Sequence, residues 1–202
     1  MKIHRVADAL LHQAARRGGL QLLRVFSRPL RPAERGAPPA GLELRLLGED
    51  ELVAHSRDPS LELREAMIRA QYRRGGVCLG VLDGALLAGY VWFAYDVAPH
   101  GEGIAVEVPP RAVYRYKALV RPAYRGRGIA PALYRAADFH VAREGRETVV
   151  SCIAPQNRAS VAATLKSGSR PLGLLGYWRA GRLFAAYHSP AVRRLGLRFH
   201  RT

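Results

Sequence analysis

Arg125, Gly126, Arg127 and Gly128 stand between an apolar run ending at Val120 and a segment, residues 128–143, whose apolar residues recur at helical spacing. Residues of these types at a strand-to-helix joint can hold an anion. Gly126 and Gly128 carry no side chains, so successive backbone N–H groups can approach a ligand closely. A helix starting there leaves its first four N–H groups without intrahelical partners and places a partial positive charge on them. Pro131 suits that first turn, where its missing donor costs nothing. Arg125 and Arg127 add full charges, and a charge-assisted hydrogen bond contributes about 1.5–3 kcal/mol. Three readings fit such a joint: a turn that happens to be basic, a patch for nucleic acid, or a cradle for a phosphate ligand.

Two known phosphate loops are excluded. The Walker loop ends in Gly-Lys-Ser/Thr, which nothing here supplies, and the dinucleotide fingerprint needs a third glycine where Pro131 stands.

The elements that must position the joint follow from the rhythm of the chain. Residues 42–47 alternate as a strand should, and 49–73 read as mostly helical, with a break near 57–60 where Asp58 or Ser60 could cap a second helix. Residues 77–95 are apolar for nearly a membrane span, but Asp83-Gly84 divides them into two strands of a hairpin. A loop over 96–110 holds Asp96, Glu102 and Glu107, and a strand over 112–120 leads into the joint. After the helix over 128–143 come a strand over 148–153, a helix over 157–166, and a closing hairpin around 179–182. This order implies an α/β (α+β) fold, one mixed central sheet with helices on both faces. The domain spans 41–188. Before it, residues 1–40 form a basic helical extension with a Pro/Gly linker, in which 20–28 are a second short amphipathic piece. After it, 189–202 are a basic, frayed tail without chemistry.

Thirty-two Lys and Arg against sixteen Asp and Glu give a net charge of +16 in 202 residues. Such a field attracts polyanions: nucleic acid, an anionic membrane or a phosphate-rich small ligand. Cys78 and Cys152 are too few for a disulfide framework and read as buried reduced thiols, which suits a cytoplasmic protein. The seven histidines show no metal-ligand spacing, so no metal is expected. No secretory signal pattern is expected at the N-terminus.

Arg125-x-x-Gly128-x-Ala130, following Leu119-Val120, resembles the acyl-coenzyme A signature (Arg/Gln-x-x-Gly-x-Gly/Ala) of the GNAT N-acyltransferase superfamily. Asn157, Ser160, Lys166 and Gly168 resemble that superfamily's second segment, and the element order over about 41–188 is similar to its fold. Three positions depart from the pattern. Ser169 replaces the aromatic after Lys-x-Gly, Thr164 stands where many members carry a tyrosine acid, and Tyr116 and Lys117 occupy the usual place of a carboxylate base.

The resemblance implies direct attack of an amine on an acyl thioester, acetyl-CoA being the expected donor. The backbone N–H of Leu119 or Val120 would polarise the thioester carbonyl. Arg125, Gly126, Arg127, Gly128, Ile129 and Ala130 would hold the diphosphate, and Asn157 would anchor the donor from the next helix. The attacking ammonium must first lose a proton; Glu107, Tyr116 and Glu102 are the candidate bases, in that order, a solvated loop carboxylate being the other reading of Glu107. Trp92 and Tyr95 are candidates for the acceptor pocket, with core packing as the alternative. Cys152 reads as a strand thiol rather than a nucleophile. The acceptor is expected to be a small-molecule amine. Two further readings remain: an acyltransferase brought to an anionic membrane through residues 2–28, acting on a longer acyl thioester or a lipid or glycan precursor, and a non-catalytic basic nucleic-acid-binding module on the same fold. No specific nucleic-acid partner is expected, because the arginines are scattered and no recognised motif is present.

Overall fold

The computed structural model describes residues 19–31, 37–100, 103–142 and 145–202. In chain order the elements begin β1 (Leu20–Pro29), β2 (Glu43–Leu46), α1 (Glu49–His55), a 3-10 turn (Pro59–Leu61), α2 (Glu65–Arg73), β3 (Val77–Asp83) and β4 (Leu86–Ala94). They continue β5 (Val97–Pro99), β6 (Ile104–Glu107), β7 (Ala112–Val120), a 3-10 turn (Pro122–Tyr124), α3 (Ile129–Val141) and β8 (Thr148–Ile153). Last come α4 (Arg158–Lys166), β9 (Arg170–Ala180), β10 (Leu183–His188), α5 (Pro190–Leu195) and β11 (Arg198–Arg201). The chain forms two compact units: a turn unit of Arg28–Ala98 and Val108–Val150, and a hairpin unit of Met1–Ser27, Pro99–Glu107 and Ser151–Thr202.

In the turn unit the strands run β8-β7-β4-β3-β2. β2, β3, β4 and β7 pair antiparallel, while β7 and β8 are parallel, so the sheet is mixed as expected. Asp83-Gly84 makes the β3–β4 hairpin turn, with Gly84 at φ +56°, and the long apolar run is two strands. Its even-numbered residues Cys78, Leu82, Tyr90 and Trp92 pack with Leu52, Leu61 and Ile68 beneath α1 and α2. α3 packs against β3, β4 and β7. There Gly89 permits a close approach: a Cβ at that position would lie 3.0 Å from the Leu119 carbonyl oxygen and 3.3 Å from Ile129 Cγ2. The helices are locally specified. Glu49, Asp50 and Glu51 put negative charge on the first turn of α1, and Asp58 caps the 3-10 turn by accepting from the Ser60 amide at 2.9 Å. The second helix therefore starts later than Asp58 or Ser60, at Glu65.

The hairpin unit places β9 between β1 and β10, all antiparallel. β11 pairs with β6. Their side chains meet in an aromatic interior, with His100 and Phe199 rings 4.6 Å apart, Tyr177 and Phe199 4.9 Å, and Tyr177 and Phe184 5.9 Å.

Three expectations are corrected. Residues 20–28 are strand, not part of a helical extension: Leu23 and Val25 are buried while Leu20, Leu22 and Arg24 are exposed. A register shift between Val25 and Phe26 buries both, which gives two adjacent apolar positions and imitates helical spacing. The basic tail is not frayed; Val192, Leu197 and Phe199 are buried, so α5 and β11 have apolar anchors. The 96–110 loop contains the short strands β5 and β6. Expectations for residues 1–18 and for Glu102 lie outside the described residues.

Candidate functional site

The site is built where β7 leaves its parallel neighbour. Among the described residues the β7–β8 register covers only Ala112–Thr148, Val113–Val149 and Tyr114–Val150, yet β7 runs six residues further, to Val120. Those six residues stay ordered because β4 pairs them on the other edge, Trp92 opposite Lys117 and Tyr90 opposite Leu119. Tyr116 is the extra residue of a bulge between the Trp92 and Phe93 pairs. Bulges re-aim side chains and free backbone groups from the ladder.

The glycine–arginine turn begins at once. Gly126 and Gly128 have φ of +81° and +76°, in the left-handed region that side-chain-bearing residues avoid, so the turn needs both glycines. A Cβ at either would meet nothing within 4 Å, so the face of the turn is open. Gly128 is the N-cap of α3 and no side chain caps that helix. Its first-turn amides and partial positive charge are thus available to an anion, and the residues present fit a diphosphate. Arg125, Gly126, Arg127 and Gly128 are all exposed, whereas Ile129 is buried and anchors the helix start.

Arginine and tyrosine contacts hold the turn in place. Arg121 donates to the Leu87 carbonyl at 2.6 Å, to Ser60 at 2.7 Å and to Asp58 at 2.5 Å. Hydrogen bonds from Ser60 and then from Arg121 hold the Asp58 carboxyl down at about 2. Tyr124 donates to Asp83 at 2.7 Å, with the Arg127 guanidinium 5.1 Å from its ring, and Arg125 Nε donates to the Val120 carbonyl at 3.2 Å. Beneath α3, Arg28 and Asp138 form a buried bidentate pair; Arg28 also donates to the Tyr134 carbonyl at 3.1 Å, and Asp138 accepts from the Arg31 amide at 2.9 Å. The Arg115 guanidinium lies 3.8 Å from the Tyr134 ring, and burial lowers its pKa.

Trp92 is fully buried and forms an edge contact with Tyr72 at 5.2 Å and a tilted one with Tyr116 at 6.2 Å. The Trp92 indole N–H and the Tyr116 hydroxyl are buried without hydrogen-bond partners among the described residues. Burial pushes the Tyr116 phenol well up, which keeps it a neutral donor. Lys117, half-buried beside it, donates to the Glu62 carbonyl, and burial lowers its pKa. Tyr95 is half-buried just beyond β4, its carbonyl accepting from Arg146 at 2.7 Å.

The remaining candidates belong to the hairpin unit. Glu107 is exposed at the end of β6, opposite Arg198 of β11. Asn157 is the N-cap of α4, its Oδ1 accepting from the Ser160 amide at 3.1 Å. Cys152 is half-buried, whereas Cys78, in the turn unit, is buried and its thiol is pushed up by that burial. Among the described residues no three His, Cys, Asp or Glu side chains stand together as a metal site would require. Sequence reasoning missed Arg121, the Arg28–Asp138 pair, and the distant partners of Asp58 and Lys117. These partners lie 55 to 110 residues apart in the chain, a distance over which no local pattern is legible.

The profile of the acetyltransferase (GNAT) family matches residues 44–168. The chain belongs to the GNAT acetyltransferase family. Among curated protein sequences nothing matches. Solved structures share the fold at low identity. A GCN5-related N-acetyltransferase from Sphaerobacter thermophilus is 16% identical with a TM-score of 0.52, over 83% of this chain and 54% of that one. A Drosophila protein is 19% identical with a TM-score of 0.50, over 84% and 55%. The aminoglycoside N-acetyltransferase AAC(6')-Iy, solved in complex with CoA, is 16% identical with a TM-score of 0.51, over 73% and 98%. The GNAT chain thus spans little more than half the length of the first two.

Proposed function

We propose that this GNAT protein transfers an acyl group, acetyl from acetyl-CoA in the simplest case, to the amine of a small molecule. The observation that carries the reading is the open glycine–arginine turn at an uncapped helix N-terminus, directly after a β7 edge that parallel pairing leaves at Tyr114. Family membership and the aminoglycoside acetyltransferase neighbour support a small amine acceptor.

The donor supplies an activated thioester; this chain's residues bind and orient it. Amides of the turn and of Ile129 and Ala130, with Arg125 and Arg127, hold the diphosphate. The backbone N–H of Leu119 or Val120 polarises the thioester carbonyl, a donor already fixed in place before reaction. Asn157 contributes to donor binding. Tyr116, a candidate base that burial instead keeps neutral, has its hydroxyl available to donate to the substrate, and Glu107 or Glu102 takes the proton of the incoming ammonium. Trp92 and Tyr95 line the acceptor side.

Calorimetric titration with acetyl-CoA at about 150 mM salt tests the reading. Micromolar binding that Gly128→Glu abolishes is the expected result. No binding by the intact protein, or equal binding by the variant, rules out the turn as the donor site. A pH–rate profile that loses its lower limb in Glu107→Gln or in Glu102→Gln would identify the base.

A further inference from the structure

Among the described residues the hairpin unit has one sheet face covered and one bare. Antiparallel partners share a face, and the register aligns Leu20 with Trp178 and Ala185, and Leu22 with Gly176 and Tyr187. Leu183, two residues before Ala185, joins the same face. Leu20, Leu22, Trp178, Leu183 and Tyr187 are all exposed, Leu183 by 64% and Tyr187 by 54%. The opposite face holds Leu23, Leu175 and Tyr177 and is closed by Phe199 and His100. An apolar face of this kind on a β-sheet marks an interaction surface.

Charge selects the partner. Residues 151–202 contain nine Lys and Arg and no Asp or Glu. Exposed Arg182 sits in the β9–β10 turn beside Leu183, and exposed Arg24 follows Leu22 on the bare face. Aliphatic side chains with a tryptophan and a tyrosine, bordered by arginines, match the acyl boundary and anionic headgroups of a bilayer. A nucleic-acid strand would use the arginines and the two rings but leave Leu20, Leu22 and Leu183 without a partner. We propose that this face lies on the surface of an anionic membrane, with Trp178 and Leu183 at the acyl boundary and the arginines at headgroup level. The surface lies wholly within one unit, and its use is independent of the acyl-donor reading.

The two tryptophans make the test specific, because Trp92 is fully buried and Trp178 is 40% exposed. The full chain is mixed at about 150 mM salt with phosphatidylcholine vesicles containing about one-third phosphatidylglycerol, with and without brominated acyl chains. The expected result is binding that requires the anionic lipid, a blue shift of the emission, and bromine quenching that disappears in Trp178→Phe while binding persists. Leu183→Glu/Tyr187→Glu should weaken partition by about ten-fold or more, with an unchanged thermal melt showing that the fold is intact. Absence of vesicle binding overturns the proposal. So does binding without quenching of Trp178, which would place the lipid contact elsewhere. A concentration-dependent blue shift without lipid would assign the face to a second copy. Shielding of Trp178 from acrylamide in the dilute protein would assign it to the chain's own N-terminal segment. A blue shift with a mixed-sequence single-stranded oligonucleotide but not with vesicles would assign it to nucleic acid. Each of these also overturns the membrane proposal.

Discussion

The two units of this GNAT protein handle charge in opposite ways. In the turn unit, arginines are matched with carboxylates: Arg28 with Asp138, Arg45 with Glu51, Arg121 with Asp58, Arg146 with Asp96. These pairs tie elements of the unit together, Arg121–Asp58 at the start of the glycine turn, and the exposed Arg125 and Arg127 flank the proposed anion site. In the hairpin unit, residues 151–202 carry nine Lys and Arg and no Asp or Glu, and exposed Arg24 and Arg182 border the bare apolar face. Matched charge positions a site, whereas an excess of one sign acts on whatever large anion lies outside.

The largest expected effect falls on the buried pair. Asp138→Asn leaves the Arg28 guanidinium buried without a counter-charge, and such a break costs about 3–5 kcal/mol; urea denaturation reads it. Replacing both partners, Arg28→Met with Asp138→Leu, should recover most of the loss. If Asp138→Asn costs no more than removal of the exposed Arg69–Glu65 pair, worth about 0.5 kcal/mol, the contrast between the units loses its energetic basis.

Next comes Gly128→Glu, with an expected loss of acetyl-CoA affinity of at least about a hundred-fold, or about 2.7 kcal/mol. Stability should fall by only about 1–2 kcal/mol, the cost of a side chain in the left-handed region. A comparable loss of binding in Arg182→Glu would move the anion site to the hairpin unit and reverse the comparison.

Acid should loosen the hairpin unit first. Burial lowers His100 to about 4, so the folded unit holds it neutral while the unfolded chain takes up a proton near pH 6.5. Its contribution is present above pH 6.5 and is lost as the pH falls towards 4, on the order of 3 kcal/mol in all. In the turn unit, hydrogen bonds hold Asp58 at about 2. Amide exchange across this range should show β6, β9 and β11 opening before β3 and β4, and His100→Phe should flatten the dependence. Simultaneous opening would remove the distinction.

The smallest effect is expected at Asn157. Asn157→Ala removes the α4 cap and should cost about 1 kcal/mol, visible as a small drop in melting temperature. A far larger loss of acetyl-CoA affinity than of stability would show that the side chain serves the donor as well as the helix.

The legible and illegible parts of the sequence divide along physical lines. The β3–β4 hairpin was readable because Asp83-Gly84 states its turn locally, and Gly126 and Gly128 mark positions where only glycine adopts the backbone comfortably. Strand β1 was misread because its bulge puts Val25 and Phe26 side by side in the interior, a spacing that strand alternation does not predict. The tail was misread because its basic residues outnumber the three apolar anchors, Val192, Leu197 and Phe199, that bury it.

By itself, then, the sequence determined what is encoded over a few residues: element types, the turn, the helix start beyond it, and through them the family. Tertiary structure alone decided which groups meet. It joined Arg28 to Asp138 and Arg121 to Asp58, ended the β7–β8 register at Tyr114, and gave Tyr116 and Lys117 the burial that shifts their pKa values. It also left one face of the hairpin sheet uncovered while closing the other. Periodicity says which side of a strand is apolar; only packing decides whether that side faces protein or something else.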